Sequence, residues 1–283
     1  MTQNFTLTLS CPQRPGIVHA VSSFLFSRHC DIAEHQQFDE TRSQAFFLRT
    51  TFVCADDSTD IDHLTAEFGS VATEFNMNFR FVDSGRPRVV VMVSKMGHCL
   101  NDLIFRWRAG TLGGELVAVV SNHEVLRPMA EAAGLPFVHI PVTPTTKSQA
   151  EADLLALVDE LEADLVVLAR YMQVLSDDAC KALHGRAINI HHSFLPGFKG
   201  AKPYHQAFDR GVKMVGATAH YVTPDLDEGP IIEQEVIRID HAYDPSRLAT
   251  VGQDAEALAL SRAVRWHCEN RVLLHGHRTV VFS

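Results

Sequence analysis

The feature that most limits the fold of this chain is an alternation of short apolar runs with amphipathic stretches after residue 88. The first run, residues 89–93, reads VVVMV and has no polar position. A strand that is apolar throughout suits a sheet covered on both faces, as parallel sheets are. Similar runs are predicted as strands and the stretches between them as helices. The predicted strands are 89–93, 116–120, 137–140, 165–169 and 187–190, and the predicted helices are 100–108, 124–133, 147–161 and 176–183.

This alternation predicts βαβ units and hence an α/β fold with a doubly wound, mostly parallel sheet. Ligands of such sheets bind beyond the carboxyl ends of the strands. The sequence then predicts two further strands, a long amphipathic helix and a last strand. They are placed at 215–222, 230–239, 247–274 and 279–282.

Residues 84–88, SGRPR, mark the clearest boundary, because glycine, proline and two charges precede the first apolar strand. We therefore predict two domains, residues 1–84 and 85–283. The first reads β-α-β-β-α-β, which is typical of a ferredoxin-like sheet with two helices on one face. Its strands are predicted at 5–9, 31–38, 44–54 and 77–82, and its helices at 17–25 and 61–75.

The first domain carries the segment 11–18, CPQRPGIV, at its first strand-to-helix turn. This segment resembles the opening of an ACT domain, a small module that binds amino acids where two copies meet. The resemblance implies an amino-acid effector, a homo-oligomer, and a regulatory site that includes Arg14, Pro15, Gly16 and Ile17. Cys11 and Gln13 depart from the ACT pattern, which leaves open the alternative that residues 1–84 only assemble subunits.

Composition excludes several classes of partner. The formal charge of −9 disfavours a nucleic acid, and no apolar run approaches the roughly 20 residues of a membrane helix. The N-terminus lacks the pattern of a signal peptide, so we expect a soluble cytoplasmic protein that binds no membrane. The six cysteines are widely spaced, which predicts reduced and mostly buried thiols.

Two polar residues lie at the end of the apolar strand predicted at 187–190. Asn189 is within this strand, and His191 follows it. Side chains alternate faces along a strand, so Asn189 and His191 point the same way while Ile188 and Ile190 point the other way. Two polar groups on one face of a buried strand are unfavourable unless they are satisfied. Their position at the carboxyl edge, where ligands bind, predicts a functional role.

A second polar segment, residues 220–230, reads HYVTPDLDEGP and leaves a strand as an acidic loop. It can bring the Asp227 carboxylate to His191. An amide and a protonated imidazole can stabilise a tetrahedral oxyanion, and a carboxylate can take the proton of the nucleophile. No G-x-S-x-G segment is present, so we expect non-covalent acyl chemistry with Asn189, His191 and Asp227 as catalytic residues.

The segment 189–200, NIHHSFLPGFKG, together with His220 and Asp227, resembles the signature of the 10-formyltetrahydrofolate enzymes. Phe194 and His192 depart from the residues common in that family. Residues 169–176, ARYMQVLS, resemble the family segment whose backbone holds the pterin. The resemblance implies a folate substrate that is contacted by Met172, Gln173, Val174, Leu175 and Asp225. Lys199 and Lys202 are candidates to meet its glutamate tail, with solvated loop lysines as the alternative. We expect no cofactor. We also expect no metal, because the adjacent His191 and His192 should face opposite sides of the strand and could not bind one ion together.

The resemblance leaves open which molecule accepts the formyl group. Members that use a nucleotide carry a Gly-rich G-x-G-S-N turn after the first strand, where backbone N–H groups bind phosphate. Here that turn, residues 94–102, reads SKMGHCLND and has one glycine among bulky side chains. This turn and the ACT-like segment together make the chain resemble the formyltetrahydrofolate deformylases. That resemblance implies water as the acceptor. A formyltransferase to a small amine and an amino-acid sensor with an inactive catalytic domain are the alternatives.

Overall fold

The computed structural model describes residues 4–55, 60–197 and 203–283, and the chain forms two compact units. Unit 1 contains Met1–Gly85, Asn270–Leu273 and Val280–Ser283, and unit 2 contains Arg86–Glu269 and Leu274–Thr279. The predicted division at residues 84 and 85 therefore differs from the structure at the C-terminal end. There, Nη1 of Arg271 donates to the Phe282 carbonyl oxygen (3.0 Å) and to Oε1 of Glu34 (3.3 Å). Contacts between residues so far apart in sequence leave no periodic pattern.

Unit 1 has the predicted order β-α-β-β-α-β. Its elements are β1 (Asn4–Pro12), α1 (Ile17–Phe26), β2 (Cys30–Glu40), β3 (Ala45–Cys54), α2 (Ile61–Phe75) and β4 (Asn78–Asp83). The strands form one sheet in the order β2-β3-β1-β4, and all neighbours are antiparallel. This is the ferredoxin-like topology that the sequence predicts.

The core of unit 1 follows from the alternation along β1. Phe5, Leu7 and Leu9 are each no more than 1% exposed, while the residues between them are half-buried. The two helices contribute further aromatic rings to this core, and the centroids of Phe24 and Phe68 lie 4.9 Å apart. Each large apolar side chain buried in this way contributes roughly 1.5–3 kcal/mol to stability.

The cysteines differ from the prediction at one pair. Cys30 and Cys54 are directly opposite each other on the antiparallel strands β2 and β3, with their Cα atoms 4.0 Å apart, and they form a disulfide. The expectation of reduced thiols is wrong for this pair, because strand register brings together two residues that are distant in sequence. The other cysteines (Cys11, Cys99, Cys180 and Cys268) are free and buried, as predicted.

Unit 2 contains most of the remaining elements. They are β5 (Arg88–Val93), α3 (His98–Arg108), β6 (Glu115–Ser121), α4 (Arg127–Ala132), β7 (Phe137–His139), α5 (Lys147–Glu160), β8 (Leu165–Leu168), α6 (Asp177–Ala182), β9 (Ala187–His191), α7 (Pro203–Asp209), β10 (Met214–Tyr221), β11 (Ile231–Arg238) and α8 (Pro245–Cys268). A hairpin of β12 (Val272–His275) and β13 (Arg278–Val281) follows α8. Within the described ranges, none of the helices combines the length and the apolar character that crossing a lipid bilayer requires.

The large sheet of unit 2 confirms the predicted mostly parallel α/β arrangement. Its strand order is β11-β10-β9-β8-β5-β6-β7, in which β5 to β9 run parallel and β10 runs antiparallel to both of its neighbours, β9 and β11. The chain winds from β5 outward through β6 and β7, and then returns to place β8 on the other side of β5. The carboxyl ends of β5 and β8 therefore border the crevice where such sheets bind ligands.

The end of the long helix differs from the prediction. The apolar spacing predicted a helix over residues 247–274, whereas α8 ends at Cys268 and residues 272–275 form β12. Asn270 follows the helix with a φ of 54°, a left-handed conformation that ends regular helix geometry. Gly276, with a φ of 60°, then supplies the turn between β12 and β13.

Candidate active site

A cavity of about 450 Å³ lies at the carboxyl edge of β8 and β9 in unit 2. The loop after β8 forms one wall, and the loop after β10 forms another. The predicted catalytic residues Asn189, His191 and Asp227 all line the cavity. Strand β9 carries the first two, and the acidic loop carries the third.

Asn189 is oriented by a histidine that the sequence identified only by its spacing. His220 on β10 is the register partner of Asn189, and the Asn189 Nδ2 atom lies 3.2 Å from His220 Nε2. His220 Nδ1 is 2.9 Å from the Tyr221 carbonyl oxygen, so it carries the proton and leaves Nε2 as an acceptor for the amide. The Asn189 amide nitrogen has two N–H groups, and the second remains available to a ligand.

His191 makes one interaction and presents its other ring nitrogen to the cavity. Its Nδ1 atom lies 3.3 Å from Asp227 Oδ2. Its Nε2 atom is buried and has no hydrogen-bond partner within the part of the chain that the structure describes. A buried polar atom without a partner is unfavourable, so this atom is a candidate contact for a substrate oxygen or nitrogen.

The backbone of the acidic loop positions Asp227. Asp227 itself has a φ of 58°, in the left-handed region that Asp tolerates better than most residues. Gly229 lies so close to Tyr221 that an added Cβ would overlap the Tyr221 carbonyl oxygen. The glycine therefore allows the loop to turn tightly onto β10, and that turn brings the carboxylate to the two histidines.

The imidazoles beside Asp227 determine its charge. The interaction with His191, and then the proximity of His220 (Nε2 lies 3.7 Å from Oδ1), holds the pKa of the Asp227 carboxyl well below its usual range, although burial acts in the opposite direction. Asp227 is therefore a carboxylate throughout the neutral pH range. It lies where it can stabilise an imidazolium at His191, and it can accept a proton.

The orientation of the His192 side chain differs from the prediction that it faces away from His191. Both His191 and His192 line the cavity, and their ring centroids lie 5.2 Å apart, so the two side chains do not face opposite sides of a strand. The reason is that β9 ends at His191 and the chain bends at His192. Burial, aided by repulsion from Arg170, lowers the pKa of His192 from 6.5 to about 4.

The lowered pKa of His192 predicts a loss of stability in acid. Between pH 6.5 and about pH 4 the unfolded chain protonates His192 and the folded chain does not, so the free energy of unfolding falls as the pH falls through this window. We expect a His192→Gln variant to lose less stability than the wild type over the same window. Urea unfolding at a series of pH values measures this difference. His241→Gln, at an exposed histidine of the same unit, is the control. Parallel losses in the wild type and His192→Gln would contradict the assignment.

The residues predicted to contact the folate do not all line the cavity. Met172, Gln173, Val174 and Leu175 all line the cavity. Asp225 does not: it is exposed, and its backbone carbonyl accepts a hydrogen bond from Thr223 Oγ1 (3.0 Å). The two lysines predicted to meet the glutamate tail, Lys199 and Lys202, lie outside the described residues.

The predicted regulatory residues belong to unit 1, at the start of α1. Nη1 of Arg14 donates to the Glu74 carbonyl oxygen (3.0 Å), and its guanidinium lies 4.4 Å from the centroid of the Phe75 ring. Gly16 has a φ of 97°, which few other residues adopt, and Ile17 is 2% exposed in the core. Pro15 is exposed before the helix.

Sequence reasoning missed a buried polar cluster beside the cavity. It consists of His98 at the start of α3, Arg170 after β8 and Glu256 on α8, and Glu256 is 1% exposed. His98 Nε2 lies 2.7 Å from Glu256 Oε2, and Arg170 Nε lies 3.3 Å from the same oxygen. A glutamate on the apolar face of an amphipathic helix was the available signal.

Two residues of this cluster and the adjacent Cys99 form the group of potential metal ligands found among the described residues. Potential ligand atoms of His98, Cys99 and Glu256 lie within 4.8 Å of one another. The Arg170 guanidinium already balances the charge of Glu256, and burial raises the pKa of the Cys99 thiol well above its usual value. A metal would need the thiolate and would meet the guanidinium, so these residues do not fit a metal site.

Residues 87–264 match the formyl transferase family. A formyltetrahydrofolate deformylase from Corynebacterium sp. (strain P-1) is 54% identical over 277 residues, which cover 97% of this chain and 96% of that protein. The crystal structure of a formyltetrahydrofolate deformylase from Burkholderia mallei ATCC 23344 is similar with a TM-score of 0.93 at 53% identity. The match covers 99% of this chain and 100% of that one.

A transformylase gives a more partial match. The structure of glycinamide ribonucleotide transformylase 1 from Symbiobacterium toebii has a TM-score of 0.66 at 29% identity, and it covers 70% of this chain and 95% of that one. The deformylases thus match nearly the whole chain, and the transformylase matches part of it. This chain belongs to the formyltetrahydrofolate deformylase family.

Proposed function

We propose that this protein hydrolyses 10-formyltetrahydrofolate to formate and tetrahydrofolate, with water as the acceptor of the formyl group. The observation that carries the proposal is the convergence of Asn189, His191 and Asp227 on one cavity, where His191 Nε2 has no partner among the described residues. The name of the matched deformylases supports the same reaction.

In the proposed first step, water attacks the formyl carbon and the carbonyl double bond becomes a C–O⁻ single bond. Asp227 takes a proton from the water, directly or through a second water molecule. The second N–H of Asn189 and the Nε2–H of a protonated His191 donate to the oxyanion. The Asp227 carboxylate stabilises the imidazolium from the other side, through Nδ1 at 3.3 Å.

In the proposed second step, the tetrahedral intermediate collapses and the bond from the formyl carbon to N10 breaks. The proton held by Asp227 passes to N10, so tetrahydrofolate leaves as a neutral amine. The remaining acid loses its proton to solvent and leaves as formate. Atoms and charges balance with water as the co-reactant, so these residues suffice and we propose that no cofactor takes part.

We propose that the folate lies along the loop after β8. Met172 and Val174 are exposed at 58% and 53%, and both line the cavity, so their apolar side chains are open to a ligand there. A pterin ring can cover them, while backbone groups of the segment 172–175 bind its polar edge. Asp225, as an exposed residue outside the cavity lining, is the weakest member of the proposed folate site.

Release of formate in the absence of any amine tests the proposed function. We expect one formate for each tetrahydrofolate formed from 10-formyltetrahydrofolate and buffer alone. Formyl transfer that requires an added amine would support the alternative of a formyltransferase. No turnover under either condition would support an amino-acid sensor with an inactive catalytic domain.

We further propose that the ferredoxin-like sheet of unit 1 is an ACT domain that regulates the enzyme and assembles a homo-oligomer. The β-α-β-β-α-β order and the RPGI turn at the start of α1 support this proposal. Hydrolysis consumes an activated one-carbon unit, so an effector that limits the rate is expected. We propose an amino acid made or consumed in one-carbon metabolism, and Arg14, Pro15, Gly16 and Ile17 as its neighbourhood. The predicted cytoplasmic location stays a prediction.

Titrating each of the twenty amino acids against the rate of formate release tests the regulatory role. We expect one of them to change the rate saturably, with a coupling free energy of about 1–3 kcal/mol. Calorimetry on the full chain checks that the same amino acid binds, because residues 270–273 and 280–283 belong to unit 1 and a 1–84 fragment would lack them. If none binds and none changes the rate, residues 1–84 only assemble subunits.

A further inference from the structure

The loops after β5 and β8 place large side chains beside the ligand-binding crevice of the large sheet. Strand β5 lies between β6 and β8, and the winding of the chain reverses across it. In α/β sheets such a reversal opens a crevice at the carboxyl ends of the two strands. Met96 and His98 follow β5, and Arg170 follows β8, so all three side chains are placed at this crevice.

Two contacts hold Arg170 in place, and a third holds its partner Glu256. The Arg170 Nη2 atom lies 3.4 Å from Met96 Sδ, and its Nε atom forms an ion pair with Glu256 Oε2 at 3.3 Å, without a hydrogen bond among the described residues. Glu256 is itself held by His98, with 2.7 Å between Oε2 and the imidazole Nε2. These contacts join segments that follow two different strands to helix α8.

The burial of this cluster indicates that it has a specific purpose. The side chains of Glu256, Arg170 and His98 are 1%, 10% and 16% exposed. Buried charges are unfavourable unless they are paired, and an apolar core at this place would be easier to build. Arg170 also has a φ of 64°, a left-handed conformation that is unfavourable for arginine and that persists because its surroundings fix it.

The cluster borders the reaction site. Arg170 lines the same cavity as Asn189 and His191, so its large side chain takes up room beside the proposed site of attack on the formyl group. A primary amine must bring its substituent into this space together with the attacking nitrogen. Water carries no substituent and is small enough to reach the formyl carbon.

We propose that Arg170, positioned by Glu256 and His98, determines acceptor specificity by excluding amines and thereby reserving the formyl group for water. This inference rests on the proposed hydrolysis of 10-formyltetrahydrofolate and concerns which acceptors the same site refuses. Arg170 acts on the acceptor, whereas Glu256 and His98 are positioning residues that act through Arg170.

The test is a partition experiment on the full-length protein. The enzyme is incubated with 10-formyltetrahydrofolate and increasing concentrations of glycinamide, and mass spectrometry measures formylglycinamide and formate. We expect wild-type enzyme to form formate alone and Arg170→Ala to raise the ratio of formylated amine to formate at least about tenfold. Arg170→Lys keeps a long side chain that can pair with Glu256 and is expected to resemble the wild type. Arg262→Ala, on the solvent side of the same helix as Glu256, is the matched control.

Each outcome decides the proposal. An Arg170→Ala enzyme that releases formate and forms no amide would overturn it. A folded Arg170→Ala enzyme that uses neither acceptor would also overturn it, because a group that only excludes amines is not needed for hydrolysis. If Arg170→Ala does not fold, Glu256→Gln decides: a raised ratio supports the proposal and an unchanged ratio overturns it. Formate release by the wild type without amine tests the proposed function separately.

Discussion

Replacing Asp227 by asparagine is expected to lower kcat by at least about 10²-fold, the effect of removing a general base. The amide has nearly the shape of the carboxylate, so the fold should be retained. It cannot accept the proton of the attacking water, and it cannot balance the charge of a protonated His191 at 3.3 Å. The loss should appear at every pH in the neutral range, because the lowered pKa keeps Asp227 ionised there.

The control for this variant lies in the same loop. Glu228→Gln makes the same chemical change one residue away, at an exposed position that does not line the cavity. It should turn over like the wild type. Thermal unfolding of both variants checks that the fold is intact. Near-normal turnover in a folded Asp227→Asn enzyme would remove Asp227 from the mechanism.

Replacing Asn189 by alanine is expected to lower kcat by about 10²–10³-fold and to change KM little. The amide should contribute most when the carbonyl oxygen becomes an oxyanion, so its loss affects the transition state more than the bound substrate. His220 holds the amide at 3.2 Å and remains in place in the variant. A large rise in KM with kcat retained would instead identify Asn189 as a binding residue.

His220 offers an independent check on that account. Its Nε2 atom accepts from Asn189 and lies 3.7 Å from Asp227 Oδ1, and its Nδ1 atom donates to a backbone carbonyl, so it positions the amide beside the carboxylate. In this arrangement, part of the effect of replacing His220 on kcat passes through Asn189. The combined variant of His220 and Asn189 should therefore lose less than the product of the two single losses.

The central part of the site could be predicted because its signals are local. Asn189 and His191 alternate with apolar residues along one short strand, and strand geometry alone puts them on one face. The acidic loop carrying Asp227 follows the neighbouring strand β10, which is antiparallel to β9, and the tight turn at Gly229 folds the loop back so that the carboxylate meets the histidines. The mostly parallel sheet could be predicted for the same reason, since each apolar strand such as β5 shows its burial on both faces.

Features that depend on long-range packing could not be predicted in this way. The cross-strand register of Cys30 and Cys54 and the contact of Arg271 with Glu34 join residues that no period relates. Glu256 occupies an apolar face of α8, where its partners come from loops after two different strands. The orientation of the His192 side chain could not be predicted either. The chain bends there, and alternation along a strand predicts nothing beyond the last residue of β9.

Hydrolysis in water enriched with oxygen-18 tests the central claim most directly. If water attacks the formyl carbon, each formate carries one oxygen from the solvent and one from the original formyl group. We predict a single labelled oxygen in formate after one turnover of 10-formyltetrahydrofolate, with no amine present. Asp227→Asn should form the same labelled product at a rate lower by at least about 10²-fold. Unlabelled formate would contradict the account, and so would a repeat with an added amine in which the formyl group is found only on that amine.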